Sequence, residues 1–254
     1  MTAGSSANAT WRSAEELTAE AARPVGRPIL HQQWTDVMFL HWPVRPGVLE
    51  AFMPPGVRVD SYEGWSYVGL VPFAMRDLGI GKGPVLPWVG SFGECNIRLY
   101  TVDRQGRRGV LFLTLECSRL LSCMTARVAF GLPYRWSRVD HAASGNRHEW
   151  RIQGLTRAGR CRQLRLATSV TGTHARDDID HFLTDRWGLH TRHAGRTWYL
   201  PTEHDRWPLR RMHVEFIRQT LTDVCGLSGL SNPVVHAAWA SHVQVRFGSP
   251  SLVC

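Results

Sequence analysis

Polar and apolar side chains alternate with a period of two along residues 91 to 102, SFGECNIRLYTV. Successive side chains of a strand point to opposite faces, so this stretch predicts a β-strand with two different faces. One face is small and apolar. The other carries Phe92, Glu94, Asn96, Arg98 and Tyr100 in a row. An acid, an amide, a guanidinium and a phenol in one row predict either a solvated strand face or the floor of a chemical site.

Runs of strand character recur along the rest of the chain, and short helical patterns lie between them. We predict helices over 14–22, 48–53, 118–130, from 177 or 178 onward, and over about 210–224. No regular alternation of strands and helices appears, which disfavours a parallel doubly wound sheet. The pattern instead predicts a mainly antiparallel α+β fold with short flanking helices, and a closed or conical barrel is one form of it.

The chain of 254 residues divides into a polar N-terminal tail over 1–28, containing the first short helix, and one domain over 29–254. Ser13 and Glu16 form a capping-box pattern at the start of that helix. The N-terminus lacks an apolar signal-peptide core, and no window has the ~18 to 20 apolar residues of a membrane span. We therefore expect a cytoplasmic protein without a membrane partner.

The formal net charge of +9 raises the question of a nucleic-acid partner. The basic residues are 29 arginines and one lysine, they are scattered, and no nucleic-acid motif appears. We therefore expect no nucleic-acid binding, while an anionic small molecule remains an open alternative. The six cysteines form no CxxC pair, so free thiols are expected.

Several segments carry a family resemblance in chain order: QQWTDVMFLHWPV, MPPGVRVDSYEGWSYVGLVPFAM, FGECNIRLYTV, GVLFLTLEC, ARVAFGLPY, HFLTDRWGLH and HDRWPL. Together these segments resemble the YqjF-like family, which belongs to the acetoacetate decarboxylase-like fold group. The resemblance implies a conical β-barrel with a central cavity and flanking helices.

This sequence lacks one feature of the catalytic chemistry of that fold group, its pair of lysines. Acetoacetate decarboxylases use a Schiff-base lysine with a neighbouring lysine, placed after the strand that corresponds here to residues 110–117. This sequence has CSRLLSCMTAR at that place, and arginine is not a usable amine nucleophile. The only lysine, Lys82, lies in a Gly/Pro-rich loop and is expected to be solvated. The resemblance therefore implies the barrel without the Schiff-base chemistry.

The polar row of the opening strand is the first candidate for a site. We predict that Arg98 holds a carboxylate or enolate oxygen and that Glu94 acts as an acid or base. Burial and the nearby guanidinium would shift the pKa of Glu94 in opposite directions. Asn96 and Tyr100 would position the substrate. The alternative is a structural ion pair or a solvent-facing strand.

Five further residues are candidates, each with a structural alternative. We predict that Glu116 approaches the same cavity from the next strand, unless it is a strand-end acid that pairs with Arg119 or Arg127. His41 is a candidate proton carrier, although a buried histidine is more often structural. Arg127 and Tyr134 flank the predicted helix 118–130 and are candidate substrate contacts. Trp88 is the candidate for stacking on a ligand.

No cofactor or metal is predicted. His236 and His242 lie on one face of the last strand region, but no carboxylate or third ligand stands at motif spacing. The sequence therefore predicts an enzyme of lyase, isomerase or cyclase type, acting on a carbonyl- or carboxylate-bearing molecule, with secondary metabolism as one hypothesis. The alternative is a non-catalytic barrel that binds a small molecule. The oligomeric state stays open, and a homo-oligomer is allowed.

Overall fold

Strands make up most of the protein, as seen in a computed structural model that describes residues 11–86, 90–174, 176–230 and 233–253. The strands are β1 (Leu30–Val44), β2 (Val57–Val59), β3 (Ser66–Ile80), β4 (Phe92–Asp103), β5 (Arg108–Cys117), β6 (Tyr134–Trp136), β7 (Arg138–Ser144), β8 (Arg147–Leu155), β9 (Cys161–Thr173), β10 (Gly188–His193), β11 (Arg196–His204), β12 (Leu209–Gln219), β13 (His236–Phe247) and β14 (Ser251–Leu252). The helices are α1 (Pro46–Leu49), α2 (Leu120–Phe130), α3 (Asp178–Thr184) and α4 (Leu221–Val224), with a 3-10 turn at Glu50–Phe52. Among the helices so described, none has the length and apolar character needed to cross a membrane.

The strands form one sheet whose pairings run β11–β10–β5–β4–β3–β1–β13. β13 also pairs with β11, so this path of hydrogen-bonded neighbours returns to its starting strand. The sheet continues from β13 through β12, β9 and β8 to β7. Among the named strands, only the pairings of β5 with β10 and with β6 are parallel. The expected mainly antiparallel α+β fold with few short helices is confirmed.

The apolar face of β4 packs against this continuation of the sheet. Cys95, Ile97 and Leu99 are fully buried and share a core with Trp150 of β8 and Leu164 of β9. Removing this apolar surface from water holds β4 against the continuation β12–β9–β8–β7, which we call the outer layer. The polar row of β4 is thereby directed away from the outer layer.

A β-bulge in β5 decides which way the last side chains of that strand point. β4 and β5 pair through a tight turn as expected, but the register shifts by one residue between Phe112 and Thr114. An extra residue in one strand reverses the alternation of side chains beyond it. Phe112 and Leu115 consequently share the inner side, whereas Glu116 points to the outer layer.

Two predicted helices are confirmed, each with one of its ends. Gly131 terminates α2 in the left-handed conformation with φ 66°, which glycine adopts without steric cost. Asp177 caps α3 by accepting a hydrogen bond from the backbone N–H of Asp180, and the Asp180 carboxylate accepts one from the Asp177 N–H in return. Both ends follow from local side-chain chemistry, which is why the sequence predicts them.

Two other predicted helices are wrong. Residues 14–22 form no helix, because the backbone of Arg12 and Glu15 hydrogen-bonds instead to the β4–β5 turn at Arg104 and Gly106. Residues 209–219 form strand β12, and of the predicted helix over about 210–224 only Leu221–Val224 is helical, as α4. The buried Leu209 and Met212 of β12 are three residues apart, and this spacing resembles that of a helix.

Candidate active site

A cavity of about 70 Å³ lies on the inner side of the strand circuit. Aromatic and aliphatic side chains of β1, β3 and β5 form much of its wall, including Phe39, Phe73 and Phe112. Its polar lining is concentrated on β4, β6, β11 and the end of α3: Gln32, Glu94, Asn96, Arg98, Tyr134, Thr184, Arg186, Thr202 and His204. A largely apolar cavity with a few convergent polar groups is the usual form of a small-molecule site.

Glu94 is the buried acid of this cavity, with 2% of its surface exposed. Burial raises the pKa of Glu94 to about 8, although a hydrogen bond donated by the Tyr134 hydroxyl to Oε2 (2.9 Å) opposes the shift. The sequence predicted the neighbouring guanidinium as the opposing influence, but the phenol of Tyr134 has that role. Most of the Glu94 side chains are therefore protonated at neutral pH, and a protonated carboxyl can donate a proton or a hydrogen bond.

Arg98 is held at the cavity wall by two hydrogen bonds. Its Nη2 donates to the carbonyl oxygen of Leu183 (2.8 Å) and its Nε to the hydroxyl of Tyr100 (3.1 Å). Gly69 on β3 makes room for the side chain, because a Cβ there would lie 3.1 Å from the Arg98 Cγ. These contacts fix the guanidinium in position before any ligand binds, and Nη1 is its remaining donor.

A chain of hydrogen bonds behind Arg98 supports this position. The Tyr100 hydroxyl lies 2.6 Å from His41 Nε2, and His41 Nδ1 lies 2.9 Å from His236 Nδ1. His236 Nε2 in turn lies at hydrogen-bond distance from Asp180 Oδ1 (2.7 Å). Burial alone would raise the pKa of Asp180, but hydrogen bonds, first among them that of His236, lower it below its usual value. Asp180 is therefore a carboxylate, and the chain connects a buried anion to the buried Arg98 side chain.

Arg186 is a second cation of the cavity that sequence reasoning missed. Its Nη1 pairs with Asp60 Oδ2 (2.5 Å) and its Nε donates to the carbonyl of Phe182 (2.7 Å). Its Nη2 is buried without a partner among the described residues, as is Oδ1 of Asn96, another lining residue. A buried unpaired polar atom costs about 1–3 kcal/mol. A ligand with an anionic oxygen and a hydroxyl or N–H donor would satisfy both atoms.

His204 is the second lining residue that was missed. Burial lowers the pKa of His204 to about 4, so the imidazole is neutral at neutral pH. Nδ1 lies 2.8 Å from the carbonyl oxygen of Asp205 and must donate its proton there. Nε2 is consequently the nitrogen with a free lone pair, which makes it a candidate base. The ring is stacked on Trp187 (4.3 Å between centroids) and contacts Trp207 (4.7 Å), so its orientation is fixed.

A sequence signal existed for both missed residues. Arg186 lies in the segment HFLTDRWGLH and His204 in HDRWPL, two of the segments that carry the family resemblance. Neither segment has a periodicity that points a side chain at β4, so no role could be assigned from the pattern alone.

The predicted position of Glu116 is wrong. The bulge in β5 turns this side chain away from the cavity, and Arg162 of β9 donates Nε–H to Glu116 Oε2 (3.0 Å). Thr114 and Ser137 donate further hydrogen bonds to the same carboxylate (2.8 and 2.5 Å). Glu116 is therefore a buried structural ion pair between the circuit and the outer layer, as in its structural alternative, although with a different arginine.

The other predicted positions divide into four groups. Glu94, Asn96, Arg98 and Tyr134 line the cavity as expected. His41 and Tyr100 do not line it but lie in the hydrogen-bond chain behind Arg98, so a direct contact with substrate is not supported for either. Arg127 is exposed on α2, away from the cavity, and is a helix-surface charge. Trp88 lies outside the described residues.

The expectation for thiols and for the lone lysine is met where the structure describes them. Cys95, Cys117, Cys123, Cys161 and Cys225 are free thiols. Lys82 is exposed in its loop.

One cluster outside the cavity has donor atoms that suit a cation: His174, Asp180 and His236, whose ligand atoms lie within 4.8 Å of one another. The Asp180 oxygens lie only 2.6 and 2.7 Å from the two imidazole nitrogens. Ligands at ~2.1 Å from a tetrahedral metal are about 3.4 Å apart. The observed distances are those of hydrogen bonds, and the cluster has the geometry of an imidazole–carboxylate network.

Fold comparisons define the class of fold that contains this cavity. Acetoacetate decarboxylase from Legionella pneumophila matches with a TM-score of 0.62 at 12% identity, covering 92% of each chain. The enduracididine biosynthesis enzyme MppR, in complex with the condensation product of pyruvate and imidazole 4-carboxaldehyde, matches with a TM-score of 0.61 at 16% identity, covering 92% of this chain and 91% of that one. At these identities the likeness shows the fold, which is acetoacetate decarboxylase-like.

Sequence comparison then places the chain within this class. Residues 31–242 match the DUF2071 family, described as an uncharacterized conserved protein, and the chain belongs to that family. The uncharacterized protein YqjF of Bacillus subtilis (strain 168) is 30% identical over 217 residues, which cover 85% of this chain and 89% of that protein. The family resemblance inferred from the sequence motifs is confirmed.

Proposed function

We propose that this protein is an enzyme that acts on a small organic molecule bearing a carbonyl or carboxylate group, through acid–base and oxyanion chemistry without a Schiff base. One observation carries the proposal: a buried carboxyl group with a pKa of about 8, that of Glu94, shares a small cavity with two fixed guanidinium groups. Titratable groups with strongly shifted pKa values in a cavity are typical of catalytic acids and bases. We further propose that the strand circuit is the conical barrel of this fold group.

The arrangement suits a reaction through an enol. His204 Nε2 would take a proton from the carbon next to the substrate carbonyl, and the electron pair of the broken C–H bond would move onto the carbonyl oxygen. Arg98 and Arg186 would stabilise the resulting enolate, because fixed cations in a water-poor site stabilise developing charge strongly. Glu94 would give a proton to carbon or oxygen and would then regain one from the protonated His204, directly or through water, so that both groups return to their starting states. Asn96 and Tyr134 would orient the substrate. Dehydration, isomerisation and cyclisation next to a carbonyl are reactions that use such an enolate, and decarboxylation of a 3-oxo acid forms it by breaking the C–C bond to CO₂ instead of the C–H bond.

The substrate class to test first is a 2-oxo acid. The solved complexes of MppR contain pyruvate or its condensation product with an aldehyde. A 2-oxo acid also offers a carboxylate for one guanidinium and a carbonyl oxygen for the other. The chain's single lysine, Lys82, is exposed and does not line the cavity, so the Schiff-base chemistry of acetoacetate decarboxylases does not extend to this site.

The experiment is proton–deuterium exchange at carbon 3 of 2-oxo acids in D₂O, followed by NMR. We expect the native protein to accelerate the exchange, Glu94→Gln and His204→Phe to reduce the rate by about 10²–10⁴-fold, and Arg98→Met to reduce it by about 10²–10³-fold. Arg157→Met, which removes an exposed arginine outside the cavity, serves as the matched control and should keep the native rate. Native exchange rates in folded Glu94→Gln would remove Glu94 from the mechanism.

The second candidate function is a barrel that binds a small molecule without converting it, which the small size and largely apolar wall of the cavity favour. It predicts that a ligand co-purifies with the protein and that Arg98→Met weakens its binding. It also predicts no exchange above the uncatalysed rate for any acid of the series. The NMR experiment therefore separates the two functions directly.

A further inference from the structure

An apolar groove of about 350 Å³ adjoins the candidate active-site cavity. The two spaces have five lining residues in common, and they meet at these side chains: Gln32, Met75, Leu132, Tyr134 and Phe247. Tyr134 is the hydrogen-bond partner of Glu94, so the groove ends next to the acid of the site.

The groove lies between helix α2, the start of β1 and the end of β3. Its wall includes Leu30, Leu78, Leu121, Phe130 and Leu200. Leu121 and Ile80, which also lines the groove, are 64% and 62% exposed, so the groove has a solvent-accessible apolar rim. Contiguous exposed apolar surface of this kind marks binding sites more often than chance exposure does.

The cavity itself accommodates only a small polar group. Its volume of about 70 Å³ is one fifth of that of the groove, about 350 Å³, and it is several times the ~10–15 Å³ that a cavity needs to hold one water molecule. The charged groups, Arg98 and Arg186, line this small space and do not line the groove. The combined site therefore has a cationic, hydrogen-bonding end and an apolar end.

We propose that the ligand of this site is an amphiphilic 2-oxo acid, with its carboxylate and carbonyl in the cavity at Arg98 and Arg186 and an unbranched apolar chain along the groove beside α2. This inference rests on the proposed function, because the head group is that of the proposed substrate. Charge complementarity selects the acid end, and the apolar wall between α2 and the strands selects a hydrocarbon chain. Each methylene that enters such a wall adds favourable free energy of transfer from water.

The test is calorimetric binding of the native protein to 2-oxopropanoate, 2-oxohexanoate and 2-oxooctanoate. We expect the affinity to rise about three- to fourfold with each added methylene that reaches the groove. Leu121→Asp, which places a charge in the groove, should remove this chain-length dependence and leave the affinity for 2-oxopropanoate within about twofold of native. Thr125→Trp, which fills the groove with an apolar side chain, should weaken only the longer acids.

Val128→Asp is the matched control, because Val128 is exposed on the same helix but does not line the groove. It should bind all three acids like the native protein. Equal affinity for the three acids, or loss of chain-length dependence in Val128→Asp, would overturn the groove assignment. If the short acid binds and exchanges while longer acids gain nothing, the groove assignment fails and the proposed function stands. If none of the acids binds, both fail. Binding with the expected chain-length dependence but no exchange would support the groove and sink the enzyme.

Discussion

At the scale of single residues, Glu94 and Arg98 differ in the polar contacts that offset the cost of burying them. The Arg98 guanidinium has two fixed hydrogen bonds and a chain of polar groups behind it that ends at the Asp180 carboxylate. Glu94 has one phenol donor, Tyr134, and a desolvated environment. A buried carboxyl without a cation partner keeps its proton, because the charged carboxylate would be poorly solvated there. The two side chains thus have separate roles, although they lie four residues apart on one strand.

Stability should report the shifted pKa of Glu94 directly. Between its ordinary pKa of 4.5 and its folded pKa of about 8, the unfolded chain releases this proton while the folded protein keeps it. Stability therefore falls as the pH rises through that window, and the loss is complete above the folded pKa. Glu94→Gln, which does not titrate, should gain on the order of 3–5 kcal/mol relative to the native protein between pH 5 and pH 9.

The measurement is urea denaturation at both pH values, with Glu50→Gln as the control for an exposed glutamate. A stability difference between Glu94→Gln and native protein that does not change with pH would show that Glu94 has an ordinary pKa.

The polar row on β4 could be predicted because a strand has a fixed period of two, so Glu94, Asn96 and Arg98 had to share a face. Arg186 and His204 could not be predicted from periodicity, because they follow α3 and end β11, far from β4 in the sequence. Their approach to the cavity depends on which strands pair across the circuit. Local patterns do not contain that information.

At the scale of elements, two layers of sheet are joined by a buried ion pair. Glu116 on β5 and Arg162 on β9 are 0% and 5% exposed, and Arg162 also donates to the backbone oxygens of Trp136 and Leu155. The pair replaces apolar packing at this point of the interface. Its two charges depend on each other, because each alone would be buried without compensation.

Removing one charge should therefore cost more than removing both. Glu116→Gln should lower the free energy of unfolding by about 3–5 kcal/mol, whereas the double variant Glu116→Leu/Arg162→Met should recover most of that loss. Denaturant titrations of both variants measure the difference. A folded Glu116→Gln protein should also bind 2-oxo acids like the native protein, since Glu116 faces away from the cavity. A loss of stability below 0.5 kcal/mol, or a weakened ligand, would contradict this assignment.

Element type was predictable wherever local chemistry determines it. The caps of α3 and the glycine after α2 gave both helices correctly. Tertiary contacts caused the errors. The backbone of residues 12–15 pairs with the β4–β5 turn instead of forming a helix, the buried Leu209 and Met212 of strand β12 have a helix-like spacing, and a β-bulge in β5 reversed the side of Glu116. A bulge is set by the partner strand, and a single strand's sequence does not reveal it.

At the scale of the whole molecule, the cavity exists because distant strands pair. β1 pairs with β13 near the other end of the chain, and β13 also pairs with β11 to complete the circuit. These pairings bring the polar row of β4, the end of α3 and the end of β11 around one space. The family resemblance predicted this fold, whereas composition and periodicity reached only the mainly antiparallel α+β class.

We propose above all that this cavity binds a small carboxylate next to a protonated acid. The most direct measurement is a crystal structure of the native protein with a 2-oxo acid at saturating concentration. We predict the acid in the cavity, with its oxygens within hydrogen-bond distance of Arg98 and Arg186 and its carbonyl carbon beside Glu94. A crystal structure in which the acid binds elsewhere on the protein and the cavity does not contain it would contradict this proposal.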